Sequence, residues 1–261
     1  MSKINVDTWE PESGTAATLM ASGDTVTVPS GASLVVASGA TINITGATQT
    51  GFPSAGFASV HHTTASSSTY TVPASITKLL VFITGGGGSG GSGSGAYNGS
   101  GGGGATTVIA HGTVVPADTI TIAVGAGASG SAGSADGAAG GNSTFTHASG
   151  SGTFDTITAP GGTAGVFGLS PATSAPTAGT VGASNDGFSI LGGYQGSFGT
   201  GPAGFGGATF WGGGGMPASP GYQVSSAGTA YGSGGGGGSS TTSYFASGAG
   251  ADGICFIMEF K

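Results

Sequence analysis

Apolar residues recur two apart in three consecutive units near the start of the chain: SGDTVTVP (22–29), SGASLVVA (30–37) and SGATINIT (38–45). Each unit opens on Ser-Gly, where glycine supplies the positive φ of a tight turn. Val26 and Val28, Leu34 and Val36, and Ile42 and Ile44 then fall on one face of a short strand. A single unit cannot bury that face, whereas stacked copies can. Three units hold six such residues, too few for an independent domain. The pattern predicts an octad-repeat β-shaft over 22–50, three chains wound about one axis, with residues 1–21 as an attachment peptide. A β-hairpin extension of the next domain is the competing reading.

Residues 51–68 have no sustained period and read as a Ser/Thr/Ala-rich linker. The texture then changes. Tyr70 to Pro73 ends one strand, with Pro73 where it does not interrupt a central ladder. ITKLLVFIT (76–84), ATTVIAHG (105–112), TITIAVG (119–125) and ICFIMEF (254–260) read as strands, and NSTFTH (142–147) and TFDTITA (153–159) as a weaker pair. LLVFI and ICFIM are continuous rather than alternating, which predicts that both of their faces are buried. Asp155 and Glu259 fall in predicted strands and are expected to face solvent, guarding against edge pairing. No twelve-residue window combines a 3.6 period, helix formers and a cap. The expected fold is all-β without substantial helix, with a β-sandwich-like domain over 69–261.

Composition changes the picture at one point above all. Glycine fills 60 of the 261 positions, about three times its usual share. Ordering a glycine costs roughly 0.5–1 kcal/mol more than ordering an alanine, so ordered glycine on this scale implies that the missing side chain is itself required. Extended glycine segments can approach closely enough to hydrogen-bond sideways, as glycine does at the crowded collagen axis. Gly87, Gly90, Gly93, Gly99 and Gly102 share one three-residue phase; Gly127, Gly130 and Gly133, and Gly201, Gly204 and Gly207, form shorter runs. Mobile loops are the competing reading of any single tract.

Charge narrows the partners. Ten acids stand against Lys3, Lys78 and Lys261, with no arginine and a formal net charge of −7. Nucleic acid is not an expected partner, because phosphate neutralisation needs clustered cations. The tract GGGGSGGSGSG (85–95) lacks the Lys-Ser/Thr ending of a P-loop. The longest apolar run, Leu79 to Ile83, is far short of a membrane span, and MSKINVDTWEPESG has no apolar signal core. No membrane insertion is expected, and Cys255, flanked by Ile254 and Phe256, is expected to be a buried small hydrophobe.

The segment TYTVPASITKLLVFITGGGGSGG (69–91) resembles the opening of the glycine-rich domains at the C-terminal ends of bacteriophage tail-fibre and adhesin proteins. TITIAVGAGASG (119–130), the NSTF segment, TITAPGGTAG (156–165) and GADGICFIMEF (250–260) follow in the order that such domains show. The likeness covers 69–261, and the 22–45 repeats look like the short β-shafts of phage fibres. It implies a β-core with extended polyglycine-type segments, layered as a sandwich, and a homotrimeric fibre. Such a fibre is located on the virion, docked to an adaptor or tail protein by its N-terminus and to a host envelope receptor by its tip. The tract after Gly161 departs from the pattern, being richer in Ala, Pro and Phe, so layering over 161–232 is not implied.

The receptor-binding candidates are aromatics in glycine contexts: Tyr194, Phe198, Phe205, Phe210, Trp211, Tyr222 and Tyr231. Such residues offer contact area at low rotamer cost. Burial between glycine segments is the competing reading for Phe205, Phe210 and Trp211. No cofactor and no enzymatic activity are expected, since no catalytic constellation can be singled out from four histidines and ten scattered acids. His61 and His62 could meet their copies at a trimer axis and hold a metal; a solvated pair is the plainer reading. Two other classes stay open: a virion structural protein such as a head fibre or capsid decoration, and a glycine-rich extracellular structural protein.

Overall fold

A computed structural model describes residues 57–64, 66–93, 98–150, 152, 154–168, 177–194, 196, 203–218, 225–239 and 245–261. All lie in the second of two units into which the chain divides, 1–53 and 54–261. The expected attachment peptide and β-shaft therefore lie outside the described residues.

The described chain is all-β. Its strands are β1 (Phe57–Thr63), β2 (Ser68–Thr71), β3 (Lys78–Thr84), β4 (Thr107–Thr113), β5 (Thr119–Ala123), β6 (Ser143–Ser149), β7 (Ile157–Ala159), β8 (Asp186–Ile190) and β9 (Ile254–Phe260). They form two antiparallel sheets, β1-β9-β3-β4-β8 and β2-β5-β6-β7. Both sheets feed one core. Leu79, Val81, Ile83, Cys255 and Ile257 come from the larger, and Tyr70, Ile120, Ile122, Phe145 and Ile157 from the smaller. The Phe145 and Phe154 rings meet there at 5.1 Å.

Three expectations need correction. Part of the presumed linker, Phe57–Thr63, is an edge strand paired along its length with β9. The continuous runs in β3 and β9 are not buried on both faces. Leu79, Val81 and Ile83 are fully buried while Leu80 and Phe82 are half-buried, and β9 alternates in the same way. Glu259 does not face solvent: period two puts it on the inner face with Cys255 and Ile257, 5% exposed. Asp155, for its part, lies outside β7, where its carboxylate accepts from Ser184 N at 2.5 Å.

Beyond Thr84 the chain changes geometry. Along Gly85–Gly93 successive N–H groups turn in rotation to three different neighbours. Gly85, Gly88 and Gly91 donate to Thr106, Gly103 and Ser100; Gly86, Ser89 and Ser92 donate to Gly141, Ala138 and Ala135. Gly87, Gly90 and Gly93 donate to Ala251, Gly248 and Phe245. That rotation is the polyproline-II period, three residues per turn with no internal hydrogen bonds. Segment 99–106 does the same: Gly99, Gly102 and Ala105 to Gly238, Gly235 and Gly232, and Ser100, Gly103 and Thr106 to Val166, Thr163 and Pro160. Every N–H of these tracts is thereby satisfied by lateral bonds instead of a ladder.

The glycines are there for space. Of the described glycines only Gly133, Gly150, Gly168, Gly212 and Gly232 adopt positive φ. A Cβ on Gly87, Gly88 or Gly101 would instead overlap the carbonyl oxygen of Ser233, Thr163 or Phe205. The layering also extends into 161–232. Gly162 and Gly165 donate to Gly86 and Ser89, and Gly204 and Gly207 to Gly99 and Gly102. Only the phase that meets a neighbour must be glycine; between Gly204 and Gly207, Phe205 points outward, 51% exposed.

One end of this layer is continuous with the sheets, because β3 runs into Gly85 and β4 follows Thr106. At the other end Gly93 bonds to Phe245, Gly99 to Gly238, Gly101 to Gly196 and Ala218 to Gly237. Eight polyproline-II steps put that end about 25 Å from the sheets.

Candidate functional site

The outer face of the larger sheet presents two ranks of side chains. Phe188, Ile109, Phe82, Phe256 and His62 are register partners across it, and Asp186, His111, Leu80, Met258 and Val60 form the next rank. Period two places both ranks opposite the core residues. Phe82 meets Phe256 edge-on at 5.9 Å.

A tight turn from the glycine layer leans on this face. Thr209 and Gly212 bridge each other, leaving Phe210 and Trp211 at the tip. Phe210 lies 6.1 Å from Phe82 and 5.0 Å, edge-on, from Trp211, which in turn stands 6.2 Å from Tyr231. Polar contacts fix the group. Thr209 Oγ1 donates to the Tyr231 carbonyl at 2.9 Å and accepts from Trp211 N at 3.2 Å. Trp211 Nε1 donates to Thr84 Oγ1 at 2.8 Å, and Thr84 Oγ1 lies 2.8 Å from Thr107 Oγ1. The indole is therefore anchored at the junction of sheet and glycine layer. Phe210 and Tyr231 remain 46% and 42% exposed.

Phe210, Trp211 and Tyr231 are thus brought together. Tyr194 and Phe205 belong to a second exposed region, on adjoining segments where Gly193 and Gly196 donate to Ala208 and Phe205. Tyr194 is 68% exposed. Burial does not hold for Phe205 or Phe210, and Trp211 is half-buried. Phe198 and Tyr222 lie outside the described residues. Phe82, Phe188 and Phe256 are not among the sequence candidates; in β8 the spacing of Phe188 and Ile190 about Ser189 is the signal that points to a strand.

Next to the cluster a shallow pocket of about 260 Å³ is lined by Leu80, Ile109, Ala110, His111, Asp186, Gly187 and Phe188. His111 Nε2 and Asp186 Oδ2 stand 3.8 Å apart across its rim, both side chains largely exposed. On the inner face Tyr70 donates to Glu259 Oε1 at 2.8 Å, Ser59 Oγ donates to Glu259 Oε2, and His61 lies 5.6 Å from the Tyr70 ring. Burial first, then the bond to Glu259 and its charge, push the Tyr70 hydroxyl well above its ordinary range. Burial pushes the Cys255 thiol up as well. His61 and His62 project to opposite faces of β1, so one chain cannot aim both at one ion. Among the described residues no group of three or more His, Cys, Asp or Glu could hold a metal, and no helix is long and apolar enough to cross a membrane.

Fold and surface together define an all-β glycine-layered scaffold: closely packed backbone within, aromatic side chains without. The family model described as glycine-rich domain matches residues 63–258, about three quarters of the chain, and the chain belongs to that family. No curated protein matches it.

Proposed function

We propose that this chain is the receptor-binding protein of a bacteriophage tail fibre, a homotrimer that docks to the virion through residues 1–21 and to a host surface receptor through the domain over 69–261. The observation that carries the reading is the placement of exposed apolar side chains. Among the described residues nine large hydrophobics are exposed, and seven of them, Phe188, Leu191, Tyr194, Phe205, Phe210, Met216 and Tyr231, fall between 188 and 231. Of these, Phe210 and Tyr231 flank Trp211 in one cluster, and contiguous exposed apolar groups mark interaction surfaces. The glycine layer supports the reading physically. Its lateral bonds hold the aromatics before any ligand arrives, so little conformational entropy is lost on contact. Adhesion is then non-covalent, strengthened by three tips per fibre.

The test is competition. Purified full-length protein, labelled and added to a panel of bacterial strains, binds a subset, and the same subset adsorbs the particles from which the protein comes. Unlabelled protein in excess blocks that adsorption. Protein found on the particle by antibody labelling, but inert towards every adsorbing strain, would place it among head fibres or decorations instead.

A further inference from the structure

We propose that the pocket between β3, β4 and β8 is a subsite for a neutral pyranose of a surface glycan. The reading of the chain as a receptor-binding protein supplies the source of the glycan; the chemistry of the pocket stands by itself.

The pocket combines two kinds of wall. Leu80, Ile109 and the Phe188 ring, 58% exposed, give an apolar floor of the kind that meets the C–H face of a sugar ring. Asp186 and His111 give the rim. At 3.8 Å their polar atoms are beyond hydrogen-bond distance of each other, so both keep their capacity for a ligand. A carboxylate only accepts, whereas an imidazole offers a donor as well, a pairing that suits adjacent hydroxyls on one ring. At about 260 Å³ the pocket lies just below the usual span for drug-sized ligands, roughly 300–1,000 Å³, which fits one ring.

The surroundings agree. All seven lining residues lie on strands or at their pairing positions, so the site is presented by rigid elements. Gly187 lets β8 close on β4, for a Cβ there would overlap the Ile109 carbonyl oxygen. The aromatic rank continues from Phe188 through Ile109 to Phe82 and thence to Phe210 and Trp211. With strands about 4.8 Å apart, Phe82 stands about 10 Å from Phe188, near the reach of a second sugar. An anionic ligand is disfavoured by Asp186 and by a chain with net charge −7. A protein partner is disfavoured because charged side chains are depleted from the centres of such interfaces, and here Asp186 lies beside Phe188.

The test uses the full-length protein and the methyl glycosides of glucose, galactose and N-acetylglucosamine as probes. Saturation-transfer NMR is expected to show at least one of them binding with a dissociation constant in the millimolar range, as befits a dozen heavy atoms. Phe188→Ala and Asp186→Asn, with unchanged melting temperature, each weaken it about tenfold, while Val115→Ala, at an exposed position away from the pocket, leaves it unchanged. Transfer to none of the probes at tens of millimolar, or binding indifferent to Phe188→Ala, overturns the proposal. So does sedimentation showing that Phe188→Asp lowers the oligomeric state, for the face would then belong to a second copy. Protein that binds cells but no glycoside keeps the receptor-binding reading and loses this one; protein that binds glycosides but no cell does the reverse.

Discussion

The Tyr70 hydroxyl donates to Glu259 Oε1 at 2.8 Å across the interface of the two sheets, where the carboxylate is 5% exposed. Among the described residues no lysine pairs with that carboxylate. The bond joins β2 to β9, while Ser59 of β1 donates to the other carboxylate oxygen. Removing one partner strands the other, so Tyr70→Phe is expected to cost about 1–3 kcal/mol by denaturant unfolding. Replacing both partners removes the stranded group. The double variant Tyr70→Phe with Glu259→Met is expected to be more stable than the sum of the two single losses predicts. Strict additivity would refute the coupling.

Alkaline stability follows from the two raised groups. Above about pH 10 the unfolded chain releases the Tyr70 proton while the folded chain retains it. The unfolded state then binds fewer protons, and stability falls as pH rises. Cys255 acts in the same sense from about pH 9. Unfolding free energies measured from pH 7 to 11 should decline beyond pH 9, and Cys255→Ala should flatten the decline between 9 and 10. A flat profile to pH 11 would contradict both burials.

Two glycines separate the need for space from the cost of flexibility. At Gly88 a Cβ would overlap the Thr163 carbonyl oxygen, a backbone atom that is itself held by Gly103 N at 2.8 Å. Gly88→Ala is expected to destabilise by about 3 kcal/mol or more, since neither segment can shift without breaking lateral bonds. At Gly213 an added Cβ meets nothing within 4 Å, and no positive φ is required. Gly213→Ala should be neutral, or stabilising by up to about 1 kcal/mol through the unfolded state. Equal effects at the two positions would mean that the layer is not packed as described.

The strands with dense β-branched and aliphatic content, β3, β4, β5 and β9, were legible within a residue or two. The edges were not. FASVHHT in β1 carries two histidines and two hydroxyls, and it is a strand only because β9 offers a partner; that is a tertiary cause which no local pattern reports. Glu259 shows the same limit: a carboxylate in a strand reads as a guard on the surface until the register reveals Tyr70 opposite. The three-residue glycine phase was visible at Gly87, Gly90 and Gly93, and it corresponds to one lateral neighbour, 245–251. Which aromatics face out was hidden, because the exposure of Phe210 depends on a turn closed by Thr209 and Gly212.

The aromatic cluster gives the sharpest test of the proposed adhesion. Phe210 touches the sheet through Phe82 yet is nearly half exposed, so its removal should cost stability less than about 1 kcal/mol and cell binding tenfold or more. Trp211→Phe is different in kind. It keeps a ring but loses the bond from Nε1 to Thr84, so it should lower stability by about 1 kcal/mol and loosen the cluster. Neither Phe210, Trp211 nor Tyr231 brings a formal charge, and the chain has only three lysines and no arginine. Attachment through them should change less than about twofold between 50 and 200 mM salt, where binding through many phosphate contacts would fall by about 10³ or more. A steep salt dependence would move the adhesive contact away from these rings and onto the few charges the chain possesses.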